Sequence, residues 1–357
     1  MSDSTTAALR SARPTLQVSG VDDQALADRL VSLEIHDHRE GLSRCELRLW
    51  NWGPRGESPG FLSFDRKQLD FGRPLQVRFG QASLFEGRIL GIEASFPRRS
   101  APTRTILAED RLQDLRMRRR TRGFSNASAA DIARQIAQEH GLRADVDLPG
   151  PRFGFSAQVN QSDLAFLREK VAAAGGSVWL ESGRLRVAAR GGNPSLACRL
   201  SHGRELEEFT VLADLAGQRT HVVAQGWDSQ RKTALRYEVD GAGLPGKLDG
   251  PQTGPKILEA ALGRRVETLA HTTCATEDEA RADAEGYFTR MARQFITGRG
   301  RSAGDPRIQV GRALELLQLG PLFSGVYEVV AVTHRVDDQH AFSTEFAVER
   351  AQLGETP

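Results

Sequence analysis

The stretch GRPLQVRFGQASLFEG begins at Gly72, and a near copy, GRALELLQLGPLFSG, begins at Gly311. Gly72-Arg73 answers Gly311-Arg312, and Leu75 and Val77 answer Leu314 and Leu316. Leu84-Phe85-Glu86-Gly87 answers Leu322-Phe323-Ser324-Gly325, with a one-residue gap between the blocks. Both copies run on into apolar, strand-like text, RILGIEASF and VYEVVAVTH. Two copies this far apart are not a solenoid, whose period is about 20–50 residues. They predict one small β-barrel used twice in the same chain.

The rest of the chain fits around that duplication. From Thr15 to about Leu107 the text is short strands with frequent turns: LVSLEIHDH (30–38), SRCELRLWNW (43–52), PLQVRFG, SLFEGRILGIEASF and TRTILAED. This predicts a first barrel over 15–107, behind a Ser/Thr/Ala-rich stretch, 1–14, expected to be disordered. NWGPRGESPG (51–60) is expected to break the strands with Gly and Pro.

An α+β domain is predicted over 108–198. One helix starts at Ser128, with Asp131 as a weaker capping-box partner, carries Ile132, Ala133, Ile136, Ala137 and His140 on one face, and ends at Gly141. A second is capped by Ser162, buries Leu164, Leu167, Val171 and Ala174, and ends at Gly175-Gly176. SVWLESGRLRVAA reads as a hairpin turning at Glu181-Ser182-Gly183.

A second barrel is predicted over 199–357, starting with FTVLAD, THVVAQGWD and ALRYEVD. It carries a loop and helix insertion at about 240–295: the Gly/Pro-rich run DGAGLPGKLDGPQTGP (240–255), then a helix capped by Thr276 with Glu279 closing the box. Ala280, Ala284, Tyr287, Phe288, Met291 and Phe295 form its apolar stripe. The chain closes on a hairpin turning at Asp337-Asp338-Gln339-His340, with Phe342, Thr344, Phe346 and Val348 on one face. The fold class is mainly β with an α+β insert, two similar tube-type barrels with helical insertions.

Composition bounds the function. The chain has 357 residues, enough for two to four domains, with 48 basic against 46 acidic side chains. Such a balance argues against binding nucleic acid with the whole surface. Cys45, Cys198 and Cys274 are odd in number and scattered, so they predict neither a disulfide framework nor a metal knuckle. The N-terminus has no apolar core of a secretory signal, and no window approaches 18 uninterrupted apolar residues. Synthesis in a cytoplasm, with no transmembrane segment, is the expectation.

The motifs with a chemical precedent fail in context. Gly241 to Lys247 satisfies both GxGxxG and GxxxxGK, but Leu248 stands where a P-loop needs Ser or Thr, and no helix follows at once. The run RMRRRTR (116–122) has no interleaved aromatic residues for stacking bases. It reads as a solvated face or a subunit contact with a carboxylate partner. His36 and His38 share a strand face, without a third ligand to complete a metal site. No nucleophile elbow is present. Abundant carboxylates leave a glycan hydrolase as one alternative function, and RMRRRTR leaves a nucleic-acid-binding regulator as another. No catalytic, cofactor-binding or metal-binding residue is assigned, and no cofactor is expected.

NQSDLAFLREKVAAAGGSVWLESGRLRV resembles the signature of the phage late control gene D proteins, whose domain also forms the N-terminal hub of VgrG spike proteins. ASAADIARQIAQEHGL and the closing FSGVYEVVAVTHRVDDQHAFSTEFAVER are similar to the same family, so the resemblance covers roughly Thr15 to Arg350. It implies a non-enzymatic baseplate hub of a phage tail or phage-like contractile injection system. Three copies with two barrels each would make a homotrimer of pseudo-six-fold symmetry, adapting a six-fold tail tube to a three-fold spike. The implied partners are a trimeric spike protein, the tail tube or tube-initiator protein and other baseplate proteins, with no stable nucleic acid binding. Because the chain stops at Pro357, the spike is expected on a separate polypeptide, and the hub would be assembled into the particle after synthesis in a bacterial cytoplasm.

Overall fold

The computed structural model describes residues 13–63, 66–192, 194–244, 246, 248, 250–337 and 341–354. Most of the stretch expected to be disordered, and Asp338, Gln339 and His340 of the expected turn, lie outside them.

In chain order, the first third forms β1 (Thr15–Val18), β2 (Val21–Asp22), α1 (Gln24–Asp28), β3 (Leu30–His38), β4 (Arg44–Trp50), β5 (Trp52–Arg55), β6 (Ser58–Phe61), β7 (Pro74–Phe79), β8 (Ala82–Ser95) and β9 (Thr103–Asp110). Strand β4 shows why: Cys45, Leu47 and Leu49 are buried while Arg44, Glu46 and Arg48 face out, a period of two. Strands β1, β7, β8, β9, β4 and β3 follow one another in the main sheet, and all six send side chains into a single core that includes Leu16, Ile35, Leu47, Val77, Ile89 and Ile106. The stretch expected to break the strands is itself a hairpin: β5 pairs with β6 across Gly56, whose φ of 67° is a conformation glycine adopts freely.

The middle third forms α2 (Leu112–Arg116), β10 (Arg119–Ser128), α3 (Ala129–Glu139), β11 (Arg143–Asp147), β12 (Arg152–Ser162), α4 (Asp163–Ala173), β13 (Gly176–Glu181) and β14 (Arg184–Ala189). Ser128 and Asp131 make the full capping box, and Ser162 accepts from the Ala165 N–H at 3.2 Å. Leu164, Leu167 and Val171 lie in the same core as Ile132 and Ile136. This module is itself a tandem strand–helix–strand unit. Asn126 and Asn160 (φ 49° and 46°) precede the two serine caps, and Gly141 and Gly175 (φ 62° and 73°) follow the two helices.

The last third forms β15 (Leu196–Ser201), β16 (Leu206–Ala213), β17 (His221–Asp228), β18 (Thr233–Val239), α5 (Gly254–Leu262), β19 (Val266–Cys274), α6 (Glu277–Arg293), β20 (Ile296–Ala303), β21 (Ala313–Leu317), α7 (Gly320–Phe323), β22 (Gly325–Asp337) and β23 (Ala341–Arg350). Strands β15, β21, β22, β23, β20 and β16 surround a second core containing Leu200, Leu206, Ile296, Leu316, Val329 and Val348. Strand β17 pairs with β18 on one side and β19 on the other, in a separate sheet packed against α6. Helix α5 is unexpected from the Gly/Pro-rich run before it. Pro255 lies in its first turn, a position where a missing N–H costs nothing.

The duplication is a matter of register. Gly72 and Gly311 have φ of 78° and 79°, and their N–H groups donate to Ile89 at 2.7 Å and to Val329 at 3.0 Å. Leu75 opposite Gly87 recurs as Leu314 opposite Tyr327, and Ile89 opposite Ala108 recurs as Val329 opposite Val348. The bulge between Ile89 and Gly91 recurs between Val329 and Ala331. Strands β3 and β4 recur as β16 and β20, down to a second shared bulge, at Leu30/Ser32 and Leu206/Glu208. The sequence match of LFEG to LFSG, however, is not structural. Gly87 occupies the place of Tyr327, and Leu322-Phe323 lies in α7, where the first copy has strand. The copies also part at their first strands: β1 runs antiparallel to β7, whereas β15 runs parallel to β21.

Candidate assembly surface

The two barrels share one sheet because β22, after pairing with β21, runs on to pair with β3, from Ala331 opposite His38 to Asp337 opposite Ser32. On the outer face of this seam, His36 Nδ1 lies 3.1 Å from Thr333 Oγ1, and Arg335 Nε donates to Glu34 Oε1 at 3.0 Å. On the inner face, His334 lies opposite Ile35, fully buried, with Nδ1 3.0 Å from Thr344 Oγ1. Burial holds its pKa down at about 4.

At the near end of the seam Glu328 and Glu349 stand directly opposite each other, both 4% exposed. Two carboxylates so placed repel. Two arginines resolve it. Arg39, at the end of β3, pairs with Glu328 and lies 3.8 Å from Glu349. Arg293, at the end of α6, reaches Glu328 at 2.5 Å and Glu349 at 3.3 Å. The cluster ties first barrel, second barrel and inserted helix at one buried point.

The middle module docks at the same junction. Arg168 donates to the Gly41 carbonyl at 2.6 Å, Arg190 pairs with Glu40, and Arg312 reaches Glu181 at 2.5 Å. Trp179 covers Gly311, where a Cβ would come within 2.9 Å of its ring. A cavity of about 80 Å3 remains between the three modules, with Asp37, Asp110 and His334 in its wall. Burial pushes the Asp110 carboxyl up to about 7, against N–H donations from Ser43 and Leu112, and burial raises Asp37 as well.

Two strand edges continue the pattern without a partner among the described residues. Strand β16 ends the path of the main sheet, bonded along one side to β20. Strand β8 pairs with β7 only as far as Arg88, so beyond Ile89 its other edge is open while β9 holds the first. Leu212, on the β16 edge, is 58% exposed, while Phe96, just past the end of β8, packs edge-on against Phe61 with ring centroids 6.1 Å apart.

The residues singled out in the sequence fall elsewhere or into structural roles. Arg116 pairs with Glu109 at 2.5 Å; Arg120 reaches Glu139 at 2.6 Å; Arg122 bridges Glu139 and Asp163 at 2.7 and 2.9 Å. Three of the five arginines of RMRRRTR thus meet carboxylates of their own chain, while Arg119 donates to the Asn160 carbonyl. Asp163 is 1% exposed; burial raises its pKa, but the bonds from His140 and Gln158 and the two arginine charges outweigh this and leave it below the usual range. Gly241, Gly243 and Gly246 all have positive φ in the loop after β18, and Gly241 packs on Phe288; Pro245 and Lys247 lie outside the described residues. His36 and His38 belong to the seam strand, where the His38 ring accepts from the Glu40 N–H. Among the described residues no cluster of three His, Cys, Asp or Glu is placed to hold a metal, and no helix is long and apolar enough to cross a membrane. The seam and the open edges were not visible as sites in the sequence; the Gly-Arg repeat marks the hairpins, not the edges.

A family model described as the Alg8 N-terminal domain matches residues 30–338. No curated protein matches the chain. Among solved structures, the prophage MuSo2 43 kDa tail protein of Shewanella oneidensis is similar with a TM-score of 0.72 at 13% identity, covering 95% of this chain and 98% of that one. A tail protein of Neisseria meningitidis MC58 gives 0.69 at 12% identity, covering 95% and 96%. An E. coli component of the type VI secretion system gives 0.61 at 10% identity, covering 96% and 79%. At these identities the likeness is one of fold, and the fold is that of tail proteins. The late control gene D resemblance is not what the family model names.

Proposed function

The chain belongs to the Alg8 N-terminal domain family, and we propose that it is a structural hub in the baseplate of a contractile phage tail or phage-like injection system. It works as a homotrimer of pseudo-six-fold symmetry and performs no catalysis. One face of the ring meets the six-fold tail tube or its initiator, the other a trimeric spike on a separate chain. The middle module faces baseplate neighbours.

The observation that carries this reading is the duplicated barrel within one sheet. Two units with the same register present near-equivalent surfaces from each chain, so three chains offer six. The likeness in fold to tail proteins from two bacteria and to a type VI secretion component supports it. Mixing the chain with a trimeric spike protein and imaging the product by electron microscopy tests it. Six-lobed rings seated on the spike are expected; particles with no ring, or rings of another symmetry, contradict the hub.

A further inference from the structure

We infer that the open edge of β8 in one copy of this chain pairs antiparallel with the open edge of β16 in a second copy, in a register the chain itself encodes. The inference deepens the hub reading and rests on it for the ring. Within the chain, β22 beyond its bulge pairs with β3. The structural copy of that β22 segment is Gly91 to Ser95, and the copy of β3 is β16. Among the described residues both copies lack the strand partner that their counterparts have. One chain cannot supply it twice, so a second chain must.

Transposing the seam gives the pairing directly. Val332 opposite Asp37 becomes Ile92 opposite Ala213; Thr333 opposite His36 becomes Glu93 opposite Leu212; Arg335 opposite Glu34 becomes Ser95 opposite Thr210. The faces agree. Ile92 and Ala94 fall on the core side against Ala213 and Val211, all apolar. A slip of one residue would set Glu93 against the core-facing positions of β16. The two edges differ, so the contact is head-to-tail, which excludes an isologous dimer and is the kind of contact a closed ring needs. It also pairs the two open strand edges, which would otherwise invite aggregation, and sets the exposed Leu212 beside the stem of Glu93.

Disulfide trapping tests the register. Glu93→Cys and Leu212→Cys lie on exposed positions and are combined in one chain, then oxidised mildly with and without a trimeric spike protein. Covalent dimers and trimers are expected between chains, and far fewer with Glu93→Cys combined with Thr210→Cys, where the Cβ atoms would be about 7–8 Å apart. Light scattering on the unoxidised protein separates the two claims. A trimer that fails to link at 93 and 212, or that links equally with 210, overturns the register and spares the hub. Linking in register by an assembly that is not a trimer supports the pairing and overturns the hub. A monomer that links in neither sample overturns both.

Discussion

Phe79 and Phe342 stack at 4.0 Å between ring centroids with their planes 13° apart, and they come from different barrels. Phe79 ends β7 of the first; Phe342 opens the last strand of the second. Both are fully buried. The pair closes the core side of the seam, beside His334 at 5.8 Å from Phe342. Phe342→Ala should cost about 3–5 kcal/mol in urea unfolding. In a double-mutant cycle with Phe79→Ala, about 1 kcal/mol of coupling is expected; additive losses would show that the barrels do not lean on this contact.

The buried Arg39, Arg293, Glu328 and Glu349 group makes a second prediction. Arg39→Met leaves Glu328 with only Arg293 in a site closed to water, at a cost of about 3–5 kcal/mol. Combining it with Glu328→Met, which also relieves the two opposed carboxylates, should recover part of that loss. Equal stability of single and double variants would contradict the cluster as described.

The pH dependence has two opposed parts. His334 is held at about 4, below an unfolded value of about 6.5, so between these the unfolded chain binds a proton that the folded chain refuses. Its share of stability is therefore lost as pH falls through that window. Asp110 is raised to about 7 from about 3.9, so over that window the folded chain keeps a proton that the unfolded chain has released, and its share is lost as pH rises. Asp37, also raised, acts in the same direction as Asp110. His334→Gln should leave stability falling more steeply as pH rises from 4 to 7, and Asp110→Asn should leave it rising relative to the parent. Urea midpoints at several pH values across this range check the two signs.

Gly286, in the middle of α6, touches the end of α4 backbone to backbone: a Cβ would lie 2.7 Å from Gly175 N and 2.8 Å from Ala173 O. Gly286→Ala would gain about 1 kcal/mol of helix propensity on an open surface. Here it should instead destabilise by about 1–3 kcal/mol, because the helices must separate. A stabilised variant would refute the close contact.

Local signals in the sequence carried over well. The serine and threonine caps at 128, 162 and 276, the glycine stops at 141 and 175 and the turn at Ser182-Gly183 each depend on neighbours a few residues away. So does the alternation that fills both barrel cores. What failed was non-local. LFEG and LFSG look alike but occupy different places, because the register is set across strands and β21 to β22 takes one residue more than β7 to β8. Likewise, nothing in β17 and β18 announces that they leave the barrel for β19. The seam and its unpaired copies were invisible for the same reason: they are relations between strands, and only the frame shared by the two barrels exposes them. Helix α5 was hidden by the glycines and prolines that precede it, although Pro255 is a start signal once the helix is known.

The most direct test of the account is the mass of the chain in solution by light scattering, alone and mixed with a trimeric spike protein. The duplicated barrel predicts a trimer in at least one of the two samples. A chain that stays monomeric in both, at concentrations where the spike is in excess, would contradict the ring and leave the two barrels as a duplication without an assembly.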